Sequence, residues 1–258
     1  MPYLVAPEAL GDLHGDEPAY RADQVRAWLY ATPVLDASEM TNLPLQLRAR
    51  LGERLWPFDV EAEQSADGGR TRKWLFRCRD GAAVESVLMT YPNRATLCIS
   101  SQAGCAMACS FCATGQFGFE RNLEAGEIVA QVAYAGAWLR SAAGSRIGNV
   151  VFMGMGEPLA NYERVRESIR RLVEVMGMSA RSITVSTVGI TPAIRRLAAE
   201  PWPVRLALSL HAADDELRNC LVPLNPRYPI DELVAAADEF RRSKGRRVSL
   251  EWTLIDGV

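Results

Sequence analysis

Asn149-Val-Val-Phe-Met153 runs into Gly154-Met-Gly-Glu-Pro158, and then into a segment with Val165, Ile169, Leu172, Val173 and Met176 on one face. A short apolar run, a glycine-rich turn and an amphipathic helix make one strand–loop–helix unit. The same unit recurs on both sides. Thr96-Leu-Cys-Ile-Ser100 precedes it and is followed by a helix with Ile128, Val132, Ala135 and Leu139 on one face. Ser182-Ile-Thr-Val-Ser186, Arg205-Leu-Ala-Leu-Ser209 and Val248-Ser-Leu-Glu-Trp-Thr-Leu254 come after it, separated by helices around 192–199 and from Pro229 through Leu233, Val234, Ala237 and Phe240. Apolar strands alternating with amphipathic helices predict βαβ units and a parallel sheet. Five such strands predict an α/β fold, a partial (β/α) barrel, with a doubly wound sheet as the alternative.

Ahead of this region the pattern differs. Residues 59–92 read as a β-hairpin extension. Lys73-Trp-Leu-Phe-Arg-Cys-Arg79 and Ala83-Val-Glu-Ser-Val-Leu-Met89 flank the turn at Asp80-Gly81. Residues 1–58 read as a small helical accessory domain. Val25 and Leu29 share one helical face, and Leu43, Leu47, Leu51 and Leu55 repeat every four residues. The expected organisation is therefore 1–58, 59–92 and a barrel over 93–258.

The chain has 258 residues, 48% of them apolar and 23% charged, with a formal net charge of −2. That balance fits a soluble globular protein and offers no basic excess of the kind most nucleic-acid binders carry. Arginine and lysine do cluster at 70–79 and 241–247, where the simpler reading is a solvated face. No apolar run is long enough to span a bilayer, and the first residues have no signal-peptide pattern. The expectation is a cytoplasmic monomer without a membrane partner. Its clustered cysteines point to metal or redox chemistry rather than disulfides.

The chemistry concentrates where the strands end, the rim at which parallel α/β folds build their sites. Gly104-Cys-Ala-Met-Ala-Cys-Ser-Phe-Cys-Ala-Thr-Gly115 follows the first strand and places Cys105, Cys109 and Cys112 in a Cys-x3-Cys-x2-Cys spacing. A structural zinc site calls for four ligands, and no fourth cysteine or histidine is spaced to supply one. Three thiolates on a four-iron cluster leave one iron open to a small molecule. Gly156 and Glu157 follow the second strand, Ser186 ends the third, and Ser209, Leu210 and His211 end the fourth. Glu157 is suited to a charge-assisted hydrogen bond with an ammonium group. Cys98 on a strand and Glu85 in the hairpin have simpler readings as a core thiol and a solvent-facing acid. Met153 and Met155 read as packing residues, and Cys78 and Cys220 as structural.

The cysteine spacing, with Phe111 before the last cysteine, resembles the signature of the radical S-adenosylmethionine (SAM) superfamily. Together with Leu97–Gln102, Cys112–Gly115 running to Phe119–Leu123, Met153–Leu159 and Ser209–Ala212, it is similar to the RlmN/Cfr family of RNA adenine methyltransferases. The resemblance implies a 4Fe-4S cluster on Cys105, Cys109 and Cys112, with SAM held by Gly156, Glu157, Ser186, Ser209, Leu210 and His211. It implies methylation of adenine C2 in 23S ribosomal RNA and transfer RNA, with an electron donor such as flavodoxin. In that scheme one SAM methylates a late cysteine and a second supplies the radical that activates this methyl. Cys98 resolves the protein–RNA adduct and Glu85 accepts the ring proton. The late methyl-carrying cysteine and a late SAM-contacting asparagine have no counterpart here. The resemblance therefore carries the expectation of a C-terminally truncated chain that binds cluster and SAM without completing turnover. Three alternatives stay open: methylation at adenine C8, a radical SAM reaction on a small molecule or peptide, and an inactive RNA-binding remnant.

Overall fold

A computed structural model of the chain describes residues 1–13 and 18–257. Its centre is an open eight-stranded sheet. β1 (Phe58–Ala66), β2 (Thr71–Cys78), β3 (Ala83–Tyr91) and β4 (Arg94–Cys98) are antiparallel neighbours. From β4 onward every pair is parallel, through β7 (Asn149–Phe152), β8 (Ile183–Thr187), β9 (Arg205–Ser209) and β10 (Val248–Glu251). The five parallel strands are those expected from the sequence, and the α/β partial barrel follows from them. A second, two-stranded sheet pairs β5 (Gln102–Gly104) with β6 (Phe119–Asn122).

Period-2 alternation divides the sheet into two faces. Trp74, Phe76, Val84, Leu88, Leu97, Val150, Phe152, Ile183, Val185, Leu206 and Leu208 are buried on one side. Packed against that side are α4 (Ala125–Ala143), α5 (Tyr162–Arg170), α6 (Thr191–Ala199) and α8 (Ile230–Lys244). The other face carries Lys73, Glu85, Val87, Cys98, Val151, Ser186 and Ser209, all partly accessible. In α4, Glu124 and Glu127 form a capping box and Gly144 closes the helix at φ 59°. α5 carries on as a π-turn through Arg171–Val175, so Val173 and Met176 fall beyond its regular part.

The N-terminal helices α1 (Tyr20–Arg26) and α2 (Leu45–Gly52) join the same apolar cluster as the barrel. Tyr3 stacks on Trp56 at 5.1 Å, and its carbonyl accepts from buried Arg171 at 3.0 Å. Among the described residues, no helix is long and apolar enough to cross a membrane.

Candidate active site at the strand rim

The cysteine loop hangs between β5 and β6 and ends in the single turn of α3 (Ala113–Gln116). Gly104 has φ 71°, and a Cβ there would strike the carbonyl oxygen of Gly118, which accepts from the Cys105 amide at 2.8 Å. Only glycine combines that dihedral with that approach. Ala108 also sits at positive φ, 52°, between Cys105 and Cys109. From the far side the loop is fastened by α7 (Asp215–Leu221), whose Leu221 carbonyl accepts from the Ser110 amide at 3.1 Å. Cys109 packs there with Ala212, Leu221 and Val222.

Cys105, Cys109 and Cys112 line one cavity of about 130 Å³ together with Phe111, Gly156, Glu157, Ser209 and His211. A neighbouring cavity of about 290 Å³ continues past Met153, Ser186, Val188 and Glu251, sharing Gly156, Glu157, Ser209 and His211. Residues from four strand ends thus meet at one place. Among the described residues, no three His, Cys, Asp or Glu side chains gather closely enough to share a single metal ion. Three thiols that line one cavity supply the kind of sulfur donors a polynuclear iron group takes, one to an iron.

His211 does not complete the ligand set. It adopts φ 62°, its Nδ1 accepts from the Thr253 amide at 3.1 Å, and its ring meets Phe111 edge to face at 4.5 Å. An Nδ1 that accepts leaves the proton on Nε2 of the neutral ring, which makes that edge a donor. Burial, and then the charge of Arg218, hold its pKa below the ordinary histidine value, which favours this neutral form. The residues present therefore fit a three-thiolate cluster with one open iron, beside donors for a small polar ligand.

Glu157 is 2% exposed. One carboxylate oxygen accepts from the Leu159 amide at 2.9 Å and the other from the Val188 amide at 2.8 Å. Its own amide donates to Gln102 Oε1 at 2.8 Å. Burial pushes its pKa up to about 7, against the pull of those two amides. The side chain expected to meet a ligand ammonium thus also ties the loop after β7 to the end of β8. Gly156, at φ 97°, lies against Gln102, which leaves no room for a Cβ.

The other sequence candidates sit apart from the cysteine cavity. Leu210 is buried. Its amide donates to Glu251 and its carbonyl accepts from Arg218, so it shapes the rim without lining either cavity. Met153, read from sequence as a packing residue, is instead 40% exposed and lines the larger cavity. Cys98 stands opposite Val87 on the open sheet face. Burial pushes its thiol up to about 11. Glu85, two residues from Val87 on the same face, pairs with Lys73 at 2.9 Å. A diagonal cross-strand position of this kind lies about 7 Å away.

Three residues of this machinery escape a sequence reading. Ser100 Oγ donates to the Glu85 carbonyl at 2.6 Å and accepts from the Met155 amide at 2.9 Å, joining β3 to the glycine-rich loop. Gln131, buried in α4, accepts from Ser86 Oγ and the Ser100 amide and donates to the Ser100 carbonyl. Arg218, buried in α7, donates to carbonyls at the ends of β8 and β9. Nothing in the sequence marks a serine, a glutamine or an arginine as buried.

Comparison with known proteins agrees with this geometry. A family model described as the radical SAM superfamily matches residues 99–258, and one described as the ribosomal RNA large subunit methyltransferase N-terminal domain matches residues 13–56. A probable dual-specificity RNA methyltransferase RlmN of Mycolicibacterium vanbaalenii is 53% identical over 247 residues, covering 93% of this chain and 68% of the relative. The protein of the same name from Frankia alni is 55% identical over 255 residues, covering 94% of this chain and 61% of the relative. A crystal structure of a radical SAM methyltransferase from Sphaerobacter thermophilus superposes with a TM-score of 0.92 at 50% identity, covering 99% of this chain and 76% of that one. These matches place this chain in the radical SAM superfamily and, within it, in the RlmN family of RNA methyltransferases.

Proposed function

We propose that this protein works in radical SAM methylation of RNA, at C2 of adenine in 23S ribosomal RNA and in transfer RNA. The observation that carries this reading is the single cavity lined by Cys105, Cys109, Cys112, Glu157, Ser209 and His211, beside the sheet face bearing Cys98 and Glu85. The names of the relatives support the RNA substrate and the double specificity. Adenine C2 is not nucleophilic, so the reaction calls for radical chemistry rather than displacement. Bound at the three thiolates, a 4Fe-4S cluster with SAM supplies reductive C–S cleavage and hence a hydrogen-abstracting carbon radical.

The chain's own residues then have distinct tasks. Cys105, Cys109 and Cys112 hold the cluster and leave one iron open. Gly156 brings backbone close to the ligand, while Ser186, Ser209 and the Nε2–H edge of His211 offer it polar contacts. Glu157 fixes the loop that presents these groups and adds negative charge beside a ligand ammonium. Cys98 stays a protonated thiol in its half-buried place until it gives up its proton and attacks the sulfur of a methyl-carrying cysteine, one this sequence does not contain; the S–S bond forms as the S–CH2 bond to the base breaks, and the released carbon takes up a proton to become the methyl group. Glu85 accepts the ring proton from the same sheet face, oriented by Lys73. The target base reaches this face only when unstacked. A donor such as flavodoxin supplies the electron.

The test uses the gene's whole reading frame, expressed in a host without its own adenine C2 methylation. Nucleoside mass analysis of ribosomal and transfer RNA is expected to show 2-methyladenosine. Appearance of 8-methyladenosine, or unmodified RNA alongside SAM cleavage by the purified protein, would contradict the reading.

A further inference from the structure

Arg218 is 1% exposed, on the second turn of a helix that leans on the cysteine loop. Its Nε donates to the Leu210 carbonyl at 2.9 Å, and its Nη2 to the carbonyls of Val188 at 2.7 Å and Ser209 at 3.1 Å. Its Nη1 donates to Asn225 Oδ1. Asn225 in turn donates to Asp215 at 2.8 Å. Among the described residues, no carboxylate forms an ion pair with this guanidinium. A buried charge without a contacting counter-ion costs several kcal/mol unless something else compensates it. Four neutral acceptors satisfy its hydrogen bonds but leave the charge itself uncompensated.

The surroundings show where that charge acts. Val188 and Ser209 line the cavity that holds the three cysteines, so Arg218 sits directly behind its wall. Asp215 is the negative group that acts on it, and Arg218 in turn lowers the pKa of His211. The same guanidinium spans the ends of β8 and β9, the two strands that deliver Ser186, Ser209 and His211.

We propose that Arg218 is a positioning residue that clamps the rim of β8 and β9 and places a fixed positive charge behind the iron–sulfur site, favouring its reduced form. Three thiolates and sulfide make such a cluster anionic, and one added electron makes it more so. A fixed cation nearby stabilises the reduced state and raises the midpoint potential; charge and hydrogen bonding at the sulfurs are recognised levers on that potential. The inference rests on the proposed cluster and adds the source of its electrostatic tuning.

The test is a reductive titration of the anaerobically reconstituted protein, followed by electron paramagnetic resonance of the reduced cluster, with iron counted in each sample. Arg218→Gln is expected to retain its iron and to titrate at a more negative potential than the unmodified chain. Arg218→Lys, which keeps charge and loses the planar fork, is expected to stay near the unmodified potential. Arg218→Gln with full iron and an unchanged potential would overturn the proposal. If Arg218→Gln does not hold iron, Asp215→Asn decides, because it removes the one carboxylate acting on Arg218. A shift to more positive potential supports the fixed charge, and no shift overturns it. A reconstituted unmodified chain with no iron–sulfur signal would instead refute the proposed function itself.

Discussion

At the rim, Glu157, His211 and Arg218 are buried and held by backbone amides and carbonyls. On the hairpin, Lys73 and Glu85 meet as side chains that are 38% and 40% exposed. The rim is held from several strands at once: Glu157 joins β7 to β8, Arg218 joins β8 to β9, and Thr253 beyond β10 reaches His211. The hairpin ion pair rests on a solvent-facing contact of the kind worth about 0–1 kcal/mol. The end proposed for the cofactor is thus built in advance, as electrostatic preorganisation requires. The end proposed for the RNA base is open and screened. Cys98 stands between them, with its thiol raised by burial on an otherwise accessible face.

Breaking the rigid end should have the largest effect. Gly104→Ala combines an unfavourable dihedral with a clash against Gly118, so the loop must move. The expected outcome is a folded protein that binds well under half the iron of the unmodified chain after anaerobic reconstitution. Full iron content would show that the loop is less constrained than its geometry implies.

Cys98 sharpens the boundary between the two ends. With its pKa near 11, only about a thousandth of the thiol is ionised at pH 8. In cluster-loaded protein, iodoacetamide should label exposed Cys220 readily and Cys98 slowly, with the Cys98 rate rising about tenfold per pH unit below its pKa. Mass mapping of the labelled peptides checks this, and rapid labelling of Cys98 at pH 8 would place it in a far more polar setting.

Gln131→Leu strands the Ser86 hydroxyl and both backbone groups of Ser100 behind the sheet. The expected loss is about 2–3 kcal/mol, or roughly 5–10 °C in Tm, read by thermal unfolding. Lys73→Met should be the mildest change, with less than about 1 kcal/mol lost. A larger loss there would mean that the hairpin is as firmly built as the rim.

The sequence shows the repeating part of this fold clearly. Five parallel strands are legible because each is a strand-length run with apolar residues, and the first four lead on to helices of period 3.6. The hairpin is legible through Asp80-Gly81. β1 is not, because eight of its nine residues are exposed and show no alternation. β5 and β6 are too short to carry a pattern, and α7 is a seven-residue helix whose buried residues include an arginine. At the site, the cysteine spacing and the polar strand ends name Cys105, Cys109, Cys112, Gly156, Glu157, Ser186, Ser209 and His211 among the residues that line the cavities. Their tethering is invisible in the sequence: Glu157 accepting two amides, Leu210 turned inward, and Arg218 fed by carbonyls all depend on chain segments brought together only by folding.

Everything proposed for the rim depends on three thiolates holding a cluster with one iron open to SAM. The decisive experiment is anaerobic reconstitution with iron and sulfide, followed by reduction and electron paramagnetic resonance with and without SAM. About four irons per chain are expected, with a reduced-cluster spectrum that changes when SAM is added. A stoichiometric zinc ion with no iron, or a cluster spectrum indifferent to SAM, would contradict it.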